Sequence, residues 1–388
     1  MRTYSDVIIA GAGASGLLCA AILAQGIISK KYSSKAVRIA ILEKNNKIGK
    51  KLSATGNGRC NFTNLHMSTD CYYGDKEWLS PILQRITPEY IVQTFADFGV
   101  LHRQRDGYVY PHTNQAGTVV RALGEACANG SIDIELDCFL EEVNRLGDYF
   151  EVVTNKGKAA CRMLVMATGS AAGRETGGDE SGYELAKRLR LDVSDIYAGL
   201  TGLCSHGKFW KQVAGTRIQG TFSLFIENEL CGRETGEIQI VKNGVSGIPV
   251  FQLCRLAATA LGQGRRVYGE IDFVPSLSDR ELLRWVQEKG IQGLVPEKWL
   301  PVLGKENARL RHFRFEVTDT FGLERAQVAA GGVDVEQIAA DTMEVKDIPN
   351  LFVLGELLNV DGKCGGYNLH FAWATAILAA EEIERRLI

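Results

Sequence analysis

Val7-Ile8-Ile9-Ala10 is a short unbroken apolar run, the pattern of a parallel strand buried on both faces. Gly11-Ala12-Gly13-Ala14-Ser15-Gly16 follows, and the small apolar residues after it predict a helix from Leu17 to about Gln25. Residues 28–36 (ISKKYSSKA) are polar and basic and predict a solvated loop. Val37 to Leu42 reads as a second strand that ends on the acid Glu43. Residues 45–64, rich in Gly, Asn and Lys, predict an extended loop, and helical patterns cover roughly 79–98 and 115–128. Alternating and continuous apolar runs then predict a β-meander, with strands Ile132–Glu142, Tyr149–Thr154 and Ala159–Met166, closing on Ala167-Thr168-Gly169. Helix signals return at 180–190.

From about 192 to 275 the chain changes to short strands punctuated by glycine, among them Thr221–Glu227, Glu237–Val241 and Arg266–Phe273. Such a shift marks a separate, β-rich domain. Residues 278–303 read as a helical patch, opened by Ser278 as N-cap with Glu281 three residues on. Phe313–Val317, Val328–Val333 and Leu351–Leu354 read as strands, and a last helix runs from about Gly366 to Leu387. The expected organisation is α/β: a discontinuous three-layer domain, 1–191 and 325–388, interrupted by a mainly β insert, 192–324.

Composition narrows this picture without changing it. At 388 residues, 45% hydrophobic and 23% charged, the chain is long enough for a large core and ordinary for a globular protein. With 44 basic and 46 acidic residues the net charge is −2, which gives a nucleic-acid partner no global electrostatic support. The ten cysteines include no Cys-x-x-Cys pair, which argues against a zinc ribbon and a dithiol relay and suits a reducing cytoplasm. The apolar stretch 7–26 holds four glycines and is preceded only by Arg2, so neither a membrane span nor a signal peptide is expected. The six histidines form no metal-ligand spacing, and no Gly-x-Ser-x-Gly elbow is present.

Three motifs carry chemistry. Gly11-x-Gly13-x-x-Gly16, with a strand before it and a helix after it, is the pattern of a dinucleotide-binding turn. Its helix N-terminus offers bare N–H groups to phosphates. Glu43, at the end of the next strand, suits a ribose diol, and it falls 27 residues after Gly16 because the basic loop lengthens the connection. Leu164-Val-Met-Ala-Thr-Gly169 resembles the second fingerprint of two-dinucleotide-domain flavoproteins. Asn350-Leu-Phe-Val-Leu-Gly-Glu356 resembles the flavoprotein strand whose terminal acid bonds the ribityl chain, and Gly365-Gly-Tyr-Asn-Leu369 downstream opens the final helix. The N-terminus of that helix suits the negative charge of a reduced flavin.

The most specific string is Gly49-Lys-Lys-Leu-Ser-Ala-Thr-Gly-Asn-Gly-Arg-Cys-Asn-Phe-Thr-Asn64, which no generic secondary-structure demand produces. With Tyr108-Val-Tyr-Pro111, Gly331-Gly-Val, Thr342-Met-Glu, Asp361-Gly and the motifs above, it resembles the BaiN-like and aminoacetone-oxidase-like FAD-binding flavoprotein family along the whole chain. The resemblance implies a two-dinucleotide-binding-type FAD domain with an inserted β-barrel-like domain and a small helical subdomain. It implies FAD held by Gly11, Gly13, Ala14, Ser15, Gly16, Glu43, Lys44, Lys50, Lys51, Thr55, Gly58, Arg59, Cys60, Asn61, Ala167, Thr168, Gly169, Gly355, Glu356, Gly366, Tyr367, Asn368 and Leu369, with Leu140 at the adenine. Asn359, His370 and the segment 170–179 depart from the family pattern, which bears on the substrate.

For catalysis His370, His112 and Cys60 are candidates, each weighed against packing or surface use; Arg59 and Lys51 could neutralise phosphates or hold an anionic substrate. The expected activity is reduction of a small unsaturated or carbonyl compound, a steroid-like enone included, by hydride transfer through flavin N5, with NAD(P)H as a transient electron donor. The substrate is expected between the insert and the flavin face. An FAD-dependent amine oxidase using oxygen and a non-catalytic flavin-binding regulator are the rival readings. Expected partners are a small-molecule substrate, with no nucleic acid and no membrane.

Overall fold

The computed structural model describes residues 3–29, 37–304 and 307–388. The chain divides into two compact units, 1–196 with 329–388, and 197–328. These boundaries fall four to five residues later than the composition shift places them.

The first unit is built on a seven-stranded sheet in the order Asp133–Glu135, Ile39–Leu42 (β2), Tyr4–Ala10 (β1), Gly157–Met166, Tyr149–Thr154, Leu140–Leu146, with Leu351–Val353 also paired to Gly157–Met166. The strand Gly157–Met166 is forked. On one side it runs parallel to β1, with Ile8 opposite Leu164 and Ala10 opposite Met166. On its other side its first half pairs antiparallel with Tyr149–Thr154, and its last three residues pair parallel with Leu351–Val353. The carboxyl ends of four parallel strands therefore meet at one sheet edge, at Ala10, Leu42, Met166 and Val353. Leu164, Val165 and Met166 are fully buried, as a strand covered on both faces requires.

Helix α1, Ala14–Ile28, packs against β1 and β2, against the helix Ala116–Asn129 and against the C-terminal helix Tyr367–Leu387. Most of its residues from Ser15 to Gly26 are buried, which suits its largely hydrophobic sequence, and Ile28 at its end is exposed. Several expectations are corrected. Residues 45–64 are not wholly extended: a short helix α2 spans Lys50–Gly58. The helical stretch 79–98 is two helices, Lys76–Arg85 and Pro88–Asp97, separated where Thr87 caps the second and Pro88 opens it. The strand expected over 132–142 breaks at Asp137, which is left-handed (φ 50°), so Asp133–Glu135 joins β2 while Leu140–Leu146 joins the meander. The basic loop expected over 28–36 lies outside the described residues except for Ile28, which ends α1, and Ser29.

The second unit is a seven-stranded antiparallel sheet in the order Phe313–Val317, Val267–Asp272, Arg217–Ile226, Glu229–Val241, Gly244–Ser246, Leu203–Cys204, Asp319–Thr320. Its two edge strands are consecutive in the chain, with only Thr318 between them, and Thr318 donates to the Cys204 carbonyl at 2.9 Å. The sheet must therefore curl until its edges meet, which makes it barrel-like. A helix, Ile248–Gly262, packs on it; the glycine-punctuated strand pattern did not predict this helix. The capping box of Ser278 and Glu281 forms and opens the helix Asp279–Lys289. The core of this unit is aromatic: Trp299 is fully buried, with ring centroids 4.9 Å from Phe273 and 5.1 Å from Phe313, and its Nε1–H donates to Thr216 Oγ1 at 3.0 Å.

Trp299→Ala is expected to lower the unfolding free energy by about 3–5 kcal/mol, the cost of a large buried cavity. Urea unfolding of the parent and variant measures it. A loss below about 1 kcal/mol would show that this core does not hold the unit together.

Candidate functional site

The turn after β1 is fixed by contacts within the chain at two of its three glycines. A Cβ at Gly11 would stand 2.3 Å from the Ala167 carbonyl oxygen, and one at Gly16 would stand 2.0 Å from that of Gly11. Gly13 is different. Its backbone (φ −79°, ψ −163°) is open to any residue, and a Cβ there would meet nothing within 4 Å. No internal contact requires a glycine at 13, and the backbone there is open to close approach by a group from outside. Gly13 is also the N-cap of α1 and carries no side-chain cap, leaving first-turn N–H groups aimed at the same space.

Glu43 lies beside this turn at the end of β2, 6% exposed. It accepts from Ala12 N–H at 2.7 Å, and from Asn45 N–H and Nδ2–H at 2.7 and 2.6 Å. The Cys138 N–H donates to the Glu43 carbonyl at 2.9 Å, so the segment leading to buried Leu140 runs past the acid. Lys44 reaches Asp179 at 2.5 Å, and Lys50 reaches Asn45 Oδ1 at 3.5 Å.

Residues 49–64 dock onto the same edge. Gly49 N–H donates to Ala12 O at 2.8 Å, and α2 begins after it. The helix breaks at Thr55, and Gly56, Asn57, Gly58 and Cys60 are all left-handed, which reverses the chain into the short strand Thr63–Asn64. Lys51 Nζ lies 2.6 Å from Glu356 Oε2, and Ser170 Oγ donates to the same oxygen at 2.8 Å. These three residues come from α2 and from the ends of two different strands. Asn64 Nδ2–H donates to Gly365 O at 2.9 Å, Trp373 Nε1–H to Phe62 O at 3.0 Å, and Asn61 Oδ1 accepts from Val109 N–H at 3.2 Å. The C-terminal helix starts after left-handed Gly366 without a side-chain cap. Asn368 there brackets Gly362, accepting its N–H at 2.7 Å and donating to its carbonyl at 2.8 Å. Thr168 Oγ1 is buried without a partner, and a Cβ at Gly169 would meet only open space.

The fold thus gathers Gly11–Gly16, Glu43, Lys51, Ala167–Gly169, Glu356 and Gly366–Leu369 along one sheet edge. An open glycine, an open glycine-lined strand end, two helix N-termini without side-chain caps and an orphaned hydroxyl fit a long, polar, phosphate-bearing cofactor. Other residues are placed differently. The Thr55 hydroxyl donates to Leu52 O at 2.7 Å at the helix break, and Tyr367 OH donates to His66 O at 3.3 Å. Arg59 is exposed and lies over the Tyr110 ring at 5.9 Å, and His112 is exposed. Lys51 is committed to Glu356 rather than standing free for phosphates. Cys60 is fully buried, and desolvation pushes its thiol up to about 12, so it is a neutral packing group rather than a thiolate. Ser170 and Asn45 carry bonds that the sequence reading missed; their only signal is adjacency to the Ala-Thr-Gly strand end and to the acid.

His370 is a core residue. It is fully buried, its Nε2 is 2.9 Å from the Ile86 carbonyl and its Nδ1 2.8 Å from Thr63 Oγ1. A carbonyl only accepts, so Nε2 carries the proton and Nδ1 accepts from the threonine. Both nitrogens are used, which leaves none for a substrate.

The HI0933-like protein Rossmann domain family matches residues 5–382. The chain belongs to that family. It is an FAD-dependent oxidoreductase family, the one that residues 49–64 resemble, and the Rossmann-type α/β fold agrees with it. Among relatives, a 3-dehydro-bile acid Δ4,6-reductase of Clostridium scindens is 30% identical, over 97% of this chain and 98% of its own. A ribosomal RNA dihydrouridine synthase of Haemophilus influenzae is 26% identical over 100% of both chains. In fold, the chain is similar to a 3-ketosteroid Δ1-dehydrogenase of Sterolibacterium denitrificans, with TM-score 0.55 at 11% identity over 99% and 100% of the two chains. Among the described residues no helix is long and apolar enough to cross a membrane.

Burial holds the His370 imidazole down to about 4, against about 6.5 when unfolded. Between these values the unfolded chain binds the extra proton, so stability is fully present above pH 6.5 and falls as pH drops toward 4, by on the order of 3 kcal/mol. Denaturant midpoints across this range should show the slope, and His370→Gln should flatten it. An unchanged slope in the variant would mean that other groups cause it.

Proposed function

We propose that this chain binds FAD along the carboxyl edge of the first unit's sheet and reduces a carbon–carbon double bond conjugated to a carbonyl, taking electrons from a transiently bound NAD(P)H. What carries the cofactor part is Gly13, a glycine with no internal reason to be one, beside an uncapped helix and a buried acid. The first-turn N–H groups of α1 would hold the diphosphate. Glu43 would take the ribose diol with the lone pairs left by Ala12 and Asn45. Glu356, oriented by Lys51 and Ser170, would accept from the ribityl hydroxyls. The N-terminus of the C-terminal helix would favour negative charge beside it. FAD, when bound, supplies hydride exchange at its N5 position.

The two relatives support the substrate class. A 3-keto Δ4,6-steroid and a uracil ring share one feature, a double bond in conjugation with a carbonyl, and reduction of each saturates that bond. For this chain a steroid-like enone is the favoured small molecule. Neither His370 nor Cys60 is placed to supply the proton that such a reduction needs, so the proton comes from another group or from water.

Two results test this reading. Denaturing the purified protein should release FAD identified by mass, and Gly13→Val should yield largely colourless protein that is still folded; full yellow colour in the variant would remove the turn from the site. Anaerobic mixing with NADH or NADPH should bleach the flavin absorbance, and a 3-keto-4-ene steroid should restore it. Bleaching by a small primary amine with no response to either nicotinamide would make the protein an oxidase. A flavin silent to all of these would favour the regulator.

A further inference from the structure

The turn after β1 is the one Gly-x-Gly-x-x-Gly of this chain, and FAD takes it up in the reading above, so a nicotinamide dinucleotide has to be held elsewhere. The small sheet beside the candidate site has a face suited to that task. Its strands are Thr63–Asn64, Tyr108–Pro111 and His102–Arg105, the last at the edge. In register, Arg103 stands opposite Tyr110 and Arg105 opposite Tyr108, and directly opposed residues share a face. Val109 and Pro111 are buried on the other face. Both arginines are exposed and both tyrosines are half-buried. Arg59, from the segment 49–64, lies over the Tyr110 ring at 5.9 Å. Arg105 has an acidic neighbour, Asp106, at 3.4 Å, whereas Arg103 pairs with no acid among the described residues. The face runs up to the start of the C-terminal helix. A Cβ at Gly365 would stand 3.1 Å from the Tyr108 ring, and Asn64, opposite Tyr108 on its other side, donates to the Gly365 carbonyl at 2.9 Å.

NADH and NADPH differ by one group, the phosphate on the adenosine 2′ oxygen. A site for NADH meets the free ribose diol with a carboxylate, and a site for NADPH meets the phosphate with an arginine. The guanidinium fork matches phosphate geometry, and a tyrosine ring offers adenine a stacking surface. Between His102 and Pro111 the one acid is Asp106, which already faces Arg105, so a bare diol finds arginines where it needs a carboxylate. We propose that this face holds the adenosine half of NADPH, with Tyr110 stacking the adenine and Arg103 taking the 2′-phosphate, and so selects NADPH over NADH as the reductant. The inference rests on the reductase reading and deepens it by naming the donor and its seat. An acidic peptide or a membrane surface would use the charge but has no need of the rings.

Isothermal titration calorimetry of the flavin-loaded protein with adenosine 2′,5′-bisphosphate and with 5′-AMP reads the phosphate directly, because the two probes differ only in that group. The bisphosphate is expected to bind at least about tenfold more tightly, the gain of a charge-assisted hydrogen bond, and the difference should shrink as salt is raised. Arg103→Ala should remove the difference. Tyr110→Ala should weaken both probes by about tenfold or more, and Tyr110→Phe should restore both, with flavin absorbance kept in all three variants. Equal binding of the two probes overturns the proposal, as does bisphosphate binding that either Arg103→Ala or Tyr110→Ala leaves intact. Anaerobic titration of the flavin absorbance separates this inference from the reading beneath it. NADPH should bleach the flavin at a concentration at least about tenfold below that of NADH. Equal bleaching by both overturns the inference and leaves the reductase reading standing, whereas bleaching by neither takes the two down together.

Discussion

The close approach of Gly11 to the end of the strand Gly157–Met166 is the constraint on which the first unit depends. At a separation where a Cβ would stand 2.3 Å from the Ala167 carbonyl, the turn after β1 and the end of the neighbouring strand lie nearly in contact. Ala167 N–H donates to Ala10 O at 2.9 Å and Gly11 N–H to Leu42 O at 2.8 Å, so three strand ends are tied across one edge. Gly16 lets α1 descend onto the same turn. Without these contacts the first turn of α1, Glu43 and Glu356 would not face a common space.

The second organising feature is a clamp of charge across that edge. Lys51 and Glu356 are each about a quarter exposed, at 27% and 23% of the side chain, and they meet at 2.6 Å with Ser170 adding a hydroxyl. An ion pair in such a half-wet place is worth little as net stability. Its effect is geometric: it fixes α2 relative to two strand ends and keeps the Glu356 carboxyl aimed. The left-handed run through Gly56, Asn57, Gly58 and Cys60 serves the same end, since backbone in that region is held only by surrounding contacts. Trp373 and His370 of the C-terminal helix bond to Phe62 and Thr63, and Asn64 donates to the Gly365 carbonyl just before that helix, which supplies those contacts.

The same tertiary logic separates two kinds of chemistry-bearing residue. Those with an internal task, such as His370 between Thr63 and Ile86 and Cys60 in the core, are used up by the fold. Those with none, such as Gly13 and Thr168 Oγ1, are open to a group from outside the chain. Function is read most directly from the second kind.

The sequence by itself determined the elements whose signal is local. The strand–turn–helix at 4–28, the meander strand Tyr149–Thr154, the Ser278 capping box and the C-terminal helix all follow from apolar periodicity and terminal residues within a few positions. It also determined the family, because residues 49–64 form a string too specific for secondary structure alone to require. Only the tertiary structure decided the rest. The helix Ile248–Gly262 is apolar on too many sides to show a helical period, and its place follows from the sheet it covers. The break at Asp137 follows from two strands seeking different partners. Lys51 is some 300 positions from its partner Glu356, and Arg103 meets Tyr110 only through strand register. Such pairings depend on distances that close only when the chain folds, and a pattern read along the chain holds no record of them.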